Sequence, residues 1–505
     1  MSVGLFELIS YTGGTEQFRY NGVLSEPYTI LQGVQQGGVD SPPLYKWYIY
    51  DMLQQLEEKG LGLHIGPIYL GSPTCADDVE LLSSERSGRE LQLMLSATKQ
   101  YSGRHRYDIH PTKSTATILY ETKIASFERK EWFLSDVPMP MEKEFDHLGL
   151  CWMAGKTKPN LDTLISAARR TSYRLMGAGF HGVEGLNPVV SKKLVDSYVI
   201  PRLLLGLEAV VLNKSDVLAL DSYHRKLLRQ LQSLPESTAN AAVYLLMGAI
   251  PIEGEWHKRV LSLFGRIARL GSDHPLYLLA ARQLSLGEER RPHSWFTQAS
   301  RIGALYGIDV ADVLRSPWSK EMWKCRVRNV INSYWKIRLL QEAQKRSTLK
   351  WLIHGADDSP NGVWESCRTS PHLTAAATTR ARAMVGRLCI YEHSWRDTNT
   401  CPLCGQDDES ITHFLMVCTE LELVRTDPVL KLKRLYTDEN LPPPQNLAER
   451  TSAVLNGDKY WSPTKCEIIR LSQNIKDAHN MSSSLCHRLL RRRDHIINDT
   501  LMNKY

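Results

Sequence analysis

The spacing of apolar residues changes near residue 158, and that change constrains the fold class. Before it, short alternating runs dominate. "EQFRYNGVLSEPYTILQG" reads as strands joined at Asn21-Gly22, a hairpin signal because both residues tolerate positive φ. "GPIYLGSPTCADDVELLS" reads as strand, tight turn, strand, and "YDIHPTKSTATILY" and "KEFDHLGLCWMAG" read as further strands. Two helices interrupt them. "VDSPPLYKWYIYDMLQQLEEKG" offers Ser41 as a cap, Pro42 in the first turn, and an apolar face of Leu44, Tyr45, Tyr48, Ile49, Met52, Leu53 and Leu56. "SGRELQLMLSATKQYS" offers a capping box from Ser87 to Glu90 and the stripe Leu91, Met94, Leu95, Thr98. From "LDTLISAARRTSYRLMGAG" onward a helical period takes over almost completely. The expected class is α+β, with segments at 1–157, 158–275, 276–397, 398–420 and 421–505.

A chain of 505 residues has room for two to four domains with substantial cores. Its 42% hydrophobic and 23% charged residues exclude the disordered and fibrous classes. The net charge of +7 permits a polyanionic partner without requiring one, so the local distribution of charge decides. The most apolar run, "YVIPRLLLGLEAVVL", is broken by Pro201, Arg202 and Glu208, so no membrane span is expected. Ten cysteines without an apolar leader point to a reducing, intracellular compartment, with a nuclear location expected.

Two constellations carry chemistry. Asp77 and Asp78 are adjacent carboxylates in a turn, a pairing that suits Mg²⁺, a hard cation satisfied by carboxylate and phosphate oxygens. Asp also favours turns for local hydrogen-bonding reasons, so the pair alone leaves both readings open. The second is Cys401, Cys404, His413 and Cys418, spaced C-x2-C-x8-H-x4-C. Three thiolates and an imidazole suit tetrahedral Zn²⁺, and with every position filled by protein the expected role is structural. The other six cysteines show no ligand spacing and are expected as buried thiols.

Residues 319–351 hold nine Lys or Arg against two Glu, interleaved with Trp323, Tyr334, Trp335 and Trp351. Basic residues there suit a nucleic-acid backbone and aromatics suit stacked bases. The spacing equally suits tryptophans in a core with the cations outside, which is the expectation adopted. The C-terminal "HRLLRRRDH" is expected as a solvated helix end, with nucleic-acid contact or a nuclear address as the alternatives.

Taken together, the block 28–150 resembles the palm of a reverse transcriptase, most closely those of non-LTR (LINE-type) retrotransposons. "ILQGVQQGGVDSPPLYKWYIYDML" resembles that family's Gly-x-x-Gln-Gly…Ser-Pro segment, at Gly33, Gln36, Gly37, Ser41 and Pro42. The resemblance implies that these glycines and the glutamine contact template and incoming nucleotide. "CADDVELLS" resembles the Ala-Asp-Asp hairpin at Ala76, Asp77 and Asp78, which implies Mg²⁺ on the two carboxylates. "IHPTKST" resembles an Asn-Pro-x-Lys-Thr stretch, with His110 in the Asn place, Pro111 matching, and Lys113 implied as an acid for the leaving pyrophosphate. "EFDHLG" resembles the primer-gripping Tyr-Leu-Gly turn, with His147 in the aromatic place and Leu148 and Gly149 matching.

Residues 158–275 resemble the family's helical thumb, and "C-P-L-C…E…H-F-L-x-x-C" resembles its C-terminal zinc knuckle. The thumb resemblance implies Arg169, Arg170, Arg174, Arg225, Lys226 and Arg229 facing a template–primer backbone, where each neutralised phosphate adds salt-dependent affinity. Ordinary solvated helix faces remain open for the same residues. The likeness covers roughly 15–275 and 370–425, with 275–370 matching only loosely.

The family's first metal-binding Asp is expected some tens of residues before Gly33, yet only 32 residues precede it and no Asp occurs before Asp40. Two Mg²⁺ ions would then bring four positive charges to two carboxylates. Glu80, two residues along the strand from Asp78, is expected to point away from the turn. The chain is therefore expected to be a reverse transcriptase, acting on an RNA template and DNA primer, that is incompetent without a complementing polymerase chain. The alternatives are a non-catalytic or domesticated nucleic-acid-binding remnant, and a degenerate product whose palm sheet lacks a central strand.

Overall fold

The computed structural model describes residues 15–29, 38–85, 88–111, 113–119, 131–181, 185–286, 293–352, 360–388, 399–438, 444–456 and 473–502. Gly33, Gln36, Gly37 and Ser87 lie outside the described residues. The fold is α+β with short strands and a helical majority. Two compact units are present, residues 1–157 with 270–282, and residues 158–269 with 283–505.

In the first unit, β1 (Thr15–Glu16) pairs with β4 (Tyr28–Thr29) and β2 (Arg19–Tyr20) pairs with β3 (Val23–Leu24). The turn between β2 and β3 is the expected one, with Asn21 at φ 48° and Gly22 at φ 83°. Helix α1 (Ser41–Glu58) buries Ile49, Met52 and Leu56 as its periodicity predicted. Its cap differs from expectation: Asp40 occupies the cap position, no side chain caps it, and Ser41 is already helical. Pro42 and Pro43 carry no N–H, so two of the four donors that a cap would satisfy are absent.

Hairpins follow in series: β5 (His64–Ile65) with β6 (Ile68–Tyr69), then β7 (Thr74–Cys75) with β8 (Asp78–Val79). The Leu63 N–H donates to the Leu82 carbonyl at 2.7 Å, tying the two hairpins. Helix α2 (Arg89–Arg104) starts from Gly88 at φ 76°, and the Glu90 N–H donates to the Glu85 carboxylate at 2.6 Å. The capping box expected between Ser87 and Glu90 falls outside the described residues; the Glu90 carboxylate accepts from the Gly62 N–H at 3.0 Å and from the Ser83 hydroxyl. Then come β9 (Phe133–Leu134) with β10 (Val137–Pro138), and β11 (Glu144–His147) with β12 (Leu150–Met153).

Among the described residues these strands form separate two-stranded antiparallel ladders, not one broad sheet. Ile49, Met52 and Tyr101 form one core with Tyr45 and Val79 packed on it, and Leu95, Ala116, Trp132 and Leu134 form another.

The second unit is helical. Asn160 caps α3 (Leu161–Gly177). Helix α4 (Pro188–Leu194) runs into a π-turn (Val195–Val199) just ahead of Pro201, which cannot donate an internal hydrogen bond. Asn213 and Asp216 form a reciprocal capping box on α5 (Lys214–Leu231). Helices α6 (Asn240–Met247), α7 (Ile252–Ala268), α8 (Trp295–Leu305), α9 (Val310–Arg315) and α10 (Lys320–Gln344) follow.

Helices α7 and α10 lie antiparallel, locked by two glycine–tryptophan contacts. A Cβ at Gly265 would sit 2.1 Å from Trp323 Nε1, and one at Gly254 would sit 2.7 Å from the Trp335 ring. The Trp323 indole also donates to the Leu261 carbonyl at 2.8 Å. Trp323 and Trp335 are core, as expected, whereas Trp351 is half-buried; Lys320, Lys324, Arg326 and Arg328 are exposed and Arg338 lies over the Trp335 ring at 5.3 Å. The chain ends with α11 (Thr374–Met384), α12 (Glu422–Asp438), α13 (Leu447–Leu455) and α14 (Gln473–Met502). Among the described residues no helix is long and apolar enough to cross a membrane.

Candidate metal centre and acidic hairpin

Cys401 and Cys404 open a tight turn in which the Gly405 N–H donates to the Cys401 carbonyl at 2.9 Å, with Gly405 at φ 66°. The Cys401 N–H donates to the Asp407 carbonyl at 2.7 Å and folds the turn back on itself. His413 begins a π-turn (His413–Val417), and the Cys418 N–H donates to the His413 carbonyl at 2.9 Å. These local bonds bring four ligand atoms within 4.8 Å of one another. Cys401 Sγ and Cys418 Sγ are 3.9 Å apart, and Cys404 Sγ and His413 Nε2 are 3.4 Å apart. Tetrahedral bonds of about 2.3 Å to sulfur and about 2.05 Å to nitrogen require edges of about 3.8 and about 3.6 Å. The donor set fits: it can hold a metal ion and is compatible with structural zinc.

The surroundings complete the arrangement. His413 Nδ1 faces Asp407 Oδ2 at 3.6 Å, the side on which a carboxylate orients a metal-binding imidazole. Burial pushes the Cys418 thiol up to about 12, with Cys401 adding to the shift, and burial also raises Cys401. Burial acts upward on Cys404 too, but hydrogen bonds from the backbone N–H groups of Gln406 and Asp407 and from the Cys401 and Cys418 side chains together hold that thiol below its ordinary value. The Arg425 guanidinium donates to the Cys418 carbonyl at 2.6 Å and to Glu422 at 2.7 Å. Of the remaining cysteines described, Cys367 and Cys486 are buried as expected, whereas Cys75 and Cys325 are exposed. Cys75 stands beside a hairpin tip and Cys325 on the outer face of α10, and cysteine spacing carries no information on either placement.

The acidic hairpin is the tip of β7–β8, with Ala76 and Asp77 in the turn and Asp78 opening β8. Ala76 has φ 53°, a left-handed conformation that costs an L-residue about 1–2 kcal/mol. Asp77 and Asp78 are exposed and lie near Tyr45 of α1, whose hydroxyl is raised by burial and then by Asp77 and Asp78 among its neighbours. Glu80 pairs with His147 Nε2 at 3.1 Å, placing the end of β11 beside the acidic hairpin. The β11–β12 turn that follows has Leu148 at φ 50° and Gly149 at φ 76°. Lys113 is exposed in a turn whose N–H donates to the His110 carbonyl at 3.2 Å. Among the described residues no third acidic side chain joins Asp77 and Asp78 to make a metal-binding group.

Arg169, Arg170, Arg174 and Lys226 are exposed. Arg225 and Arg229 are committed inside the unit: Arg225 pairs with Asp221, and Arg229 donates to the Thr238 carbonyl at 3.0 Å and to Asn240 at 2.6 Å. The C-terminal basic run is not a wholly solvated helix end, because Arg493 is buried against Glu409. Asp407, Glu409, Arg425 and Arg493 escaped the sequence reading. Only the glutamate inside the Cys/His spacing offered a signal. No protein-family model and no curated protein matches this chain.

Proposed function

We propose that the chain is a template–primer-binding protein of the non-LTR reverse-transcriptase class. In this reading the first unit corresponds to part of a palm, and the second to a thumb and zinc knuckle. The supporting observation is the Glu80–His147 pair, which joins the strand that Asp78 opens to the residue just before the Leu148–Gly149 turn. A carboxylate pair and a primer-gripping turn serve the same primer end, so a palm needs them side by side. The exposed Arg169, Arg170 and Arg174, with exposed Tyr173 between them, supply phosphate contacts and a stacking surface. Two carboxylates without a third do not assemble a two-metal site, and no polymerisation step is assigned to these residues alone.

Fluorescence anisotropy with a labelled RNA–DNA template–primer tests the reading. Binding is expected to weaken steeply with salt, and the triple variant Arg169→Gln/Arg170→Gln/Arg174→Gln to flatten the log–log salt slope by about 2–3, at ~0.9 per phosphate contact. An unchanged slope would remove the thumb assignment. Primer extension with Mg²⁺ or Mn²⁺ that vanishes in Asp77→Ala would overturn the non-catalytic part.

A further inference from the structure

Helix α10 buries one row of side chains at every fourth position, Trp323, Val327, Ile331, Trp335, Leu339 and Ala343. Beside the start of that row runs another at the same spacing, Lys320, Lys324 and Arg328, and all three are exposed. Four residues advance a helix by about 6 Å and turn it by only about 40°, so the three cations form a ridge about 12 Å long. The step is close to that between successive phosphates along a nucleic-acid strand.

The ridge is placed against local stability. Like charges four residues apart repel one another on a helix, and Lys320 in the first turn is opposed by the positive end of the helix dipole. Acids do not offset this: Glu321 is the only one from residue 320 to 328. Among the described residues none of the three ridge cations pairs with a carboxylate. Elsewhere in the second unit such cations do pair within their own helix, Lys192 with Asp196, Lys258 with Glu255, and Arg315 with Asp312. At the same end of α10, Trp318 precedes the Ser319 cap and is 43% exposed.

We propose that this end of α10 binds single-stranded nucleic acid, with successive phosphates on Lys320, Lys324 and Arg328 and a base stacked on Trp318. An unpaired base offers a ring face to an aromatic side chain, which a duplex does not, and an acidic peptide would use the charge alone. The surface lies wholly within the second unit. It is separate from Arg169, Arg170 and Arg174 of α3, whose proposed partner is a duplex template–primer.

Fluorescence anisotropy of the full chain with a labelled oligo(dT) tests it, with a duplex and polyglutamate of equal charge as competitors. Saturable binding is expected, displaced by unlabelled oligo(dT) well before either competitor. Lys324→Gln is expected to flatten the log–log salt slope by about 0.7, and Lys320→Gln/Lys324→Gln/Arg328→Gln by about 2, at ~0.7 per phosphate contact on a single strand. Arg326→Gln removes the same charge about 200° around the helix from Lys324 and is expected to leave the slope unchanged. Trp318→Ala is expected to weaken binding at least about fivefold at an unaltered slope, because stacking releases no counterions. All five positions are exposed, and thermal melts confirm that the variants fold. Absence of saturable oligo(dT) binding, a slope indifferent to the triple variant, or equal effects of Lys324→Gln and Arg326→Gln overturns the proposal. Displacement by duplex or polyglutamate as readily as by oligo(dT), or binding indifferent to Trp318→Ala, overturns it too. Template–primer binding is read on the α3 variants, so either proposal can fail while the other stands.

Discussion

The guanidinium of Arg493 meets the carboxylate of Glu409 through two hydrogen bonds, Nε to Oε1 at 2.8 Å and Nη2 to Oε2 at 3.2 Å. Both side chains are about as buried as a protein allows, at 1% and 2% exposure. Glu409 lies between Cys404 and His413, so the loop that places these candidate metal ligands also places the counter-charge for α14. Removing one partner of such a pair leaves a charge in the interior and costs about 3–5 kcal/mol. Arg493→Met is expected to destabilise by that amount, and Arg493→Met/Glu409→Leu to recover most of it. A double-mutant cycle from urea midpoints measures the coupling; additive effects would show that the pair contributes nothing beyond its separate side chains.

Zinc content offers a second check. One zinc per chain is expected in purified protein and none in Cys404→Ser. Metal binding displaces thiol protons, and Cys418, held up near 12, resists losing its own. Affinity is therefore expected to rise with pH and fall on acidification, by about tenfold per pH unit for each proton displaced. A competition titration with a chromophoric chelator at pH 6.5 and 7.5 reads the slope. Chelation is also expected to speed amide exchange in α14 around Arg493, because the loop carrying Glu409 loses its cross-link.

Two left-handed residues predict stabilising changes. Ala76 and Leu148 hold φ values of 53° and 50°, a region glycine enters without a Cβ clash. Ala76→Gly and Leu148→Gly are each expected to raise stability by about 1 kcal/mol, measured by thermal or urea denaturation. A loss of stability at either position would mean that its side chain contributes more through contacts than its backbone loses to strain.

Acid should loosen the second unit. Burial lowers His224 to about 3 and His257 to about 4, from an ordinary value of 6.5. Both are neutral in the fold, while the unfolded chain protonates them below about pH 6.5. Their contribution is fully present above that value and is lost as pH falls toward the folded values. Between pH 6 and 4 the two together are expected to remove up to ~2.7 kcal/mol per pH unit, at ~1.36 per proton. Urea midpoints across that range, compared with His257→Gln, test it; the variant should show a shallower loss.

What could be read in advance follows the range of the interaction. The Asn21-Gly22 hairpin, the buried face of α1 and the tryptophan side of α10 depend on neighbours a few residues away, and they were legible. The Cys/His spacing was legible for the same reason, since its turn and π-turn are local. Burial of Arg493 depends on a carboxylate 84 residues away, and the Glu80–His147 pair spans 67 residues; no periodicity encodes either. The reassigned cap of α1 failed for a subtler reason. Pro43 removed one donor that Ser41 would have satisfied, and the Leu44 N–H donates to the Asp40 carbonyl at 3.1 Å.

The first unit recovers residues 270–282 after the chain has left it at residue 157. During synthesis, the 112 residues from 158 to 269 must emerge before that last piece exists. At ~5–20 residues per second, the ribosome holds the unit unfinished for roughly 6 to 20 seconds, long enough for α3 to α7 to form first. The order of folding on the ribosome is thus expected to invert the order of the sequence, with a helical intermediate preceding completion of the strand-bearing unit.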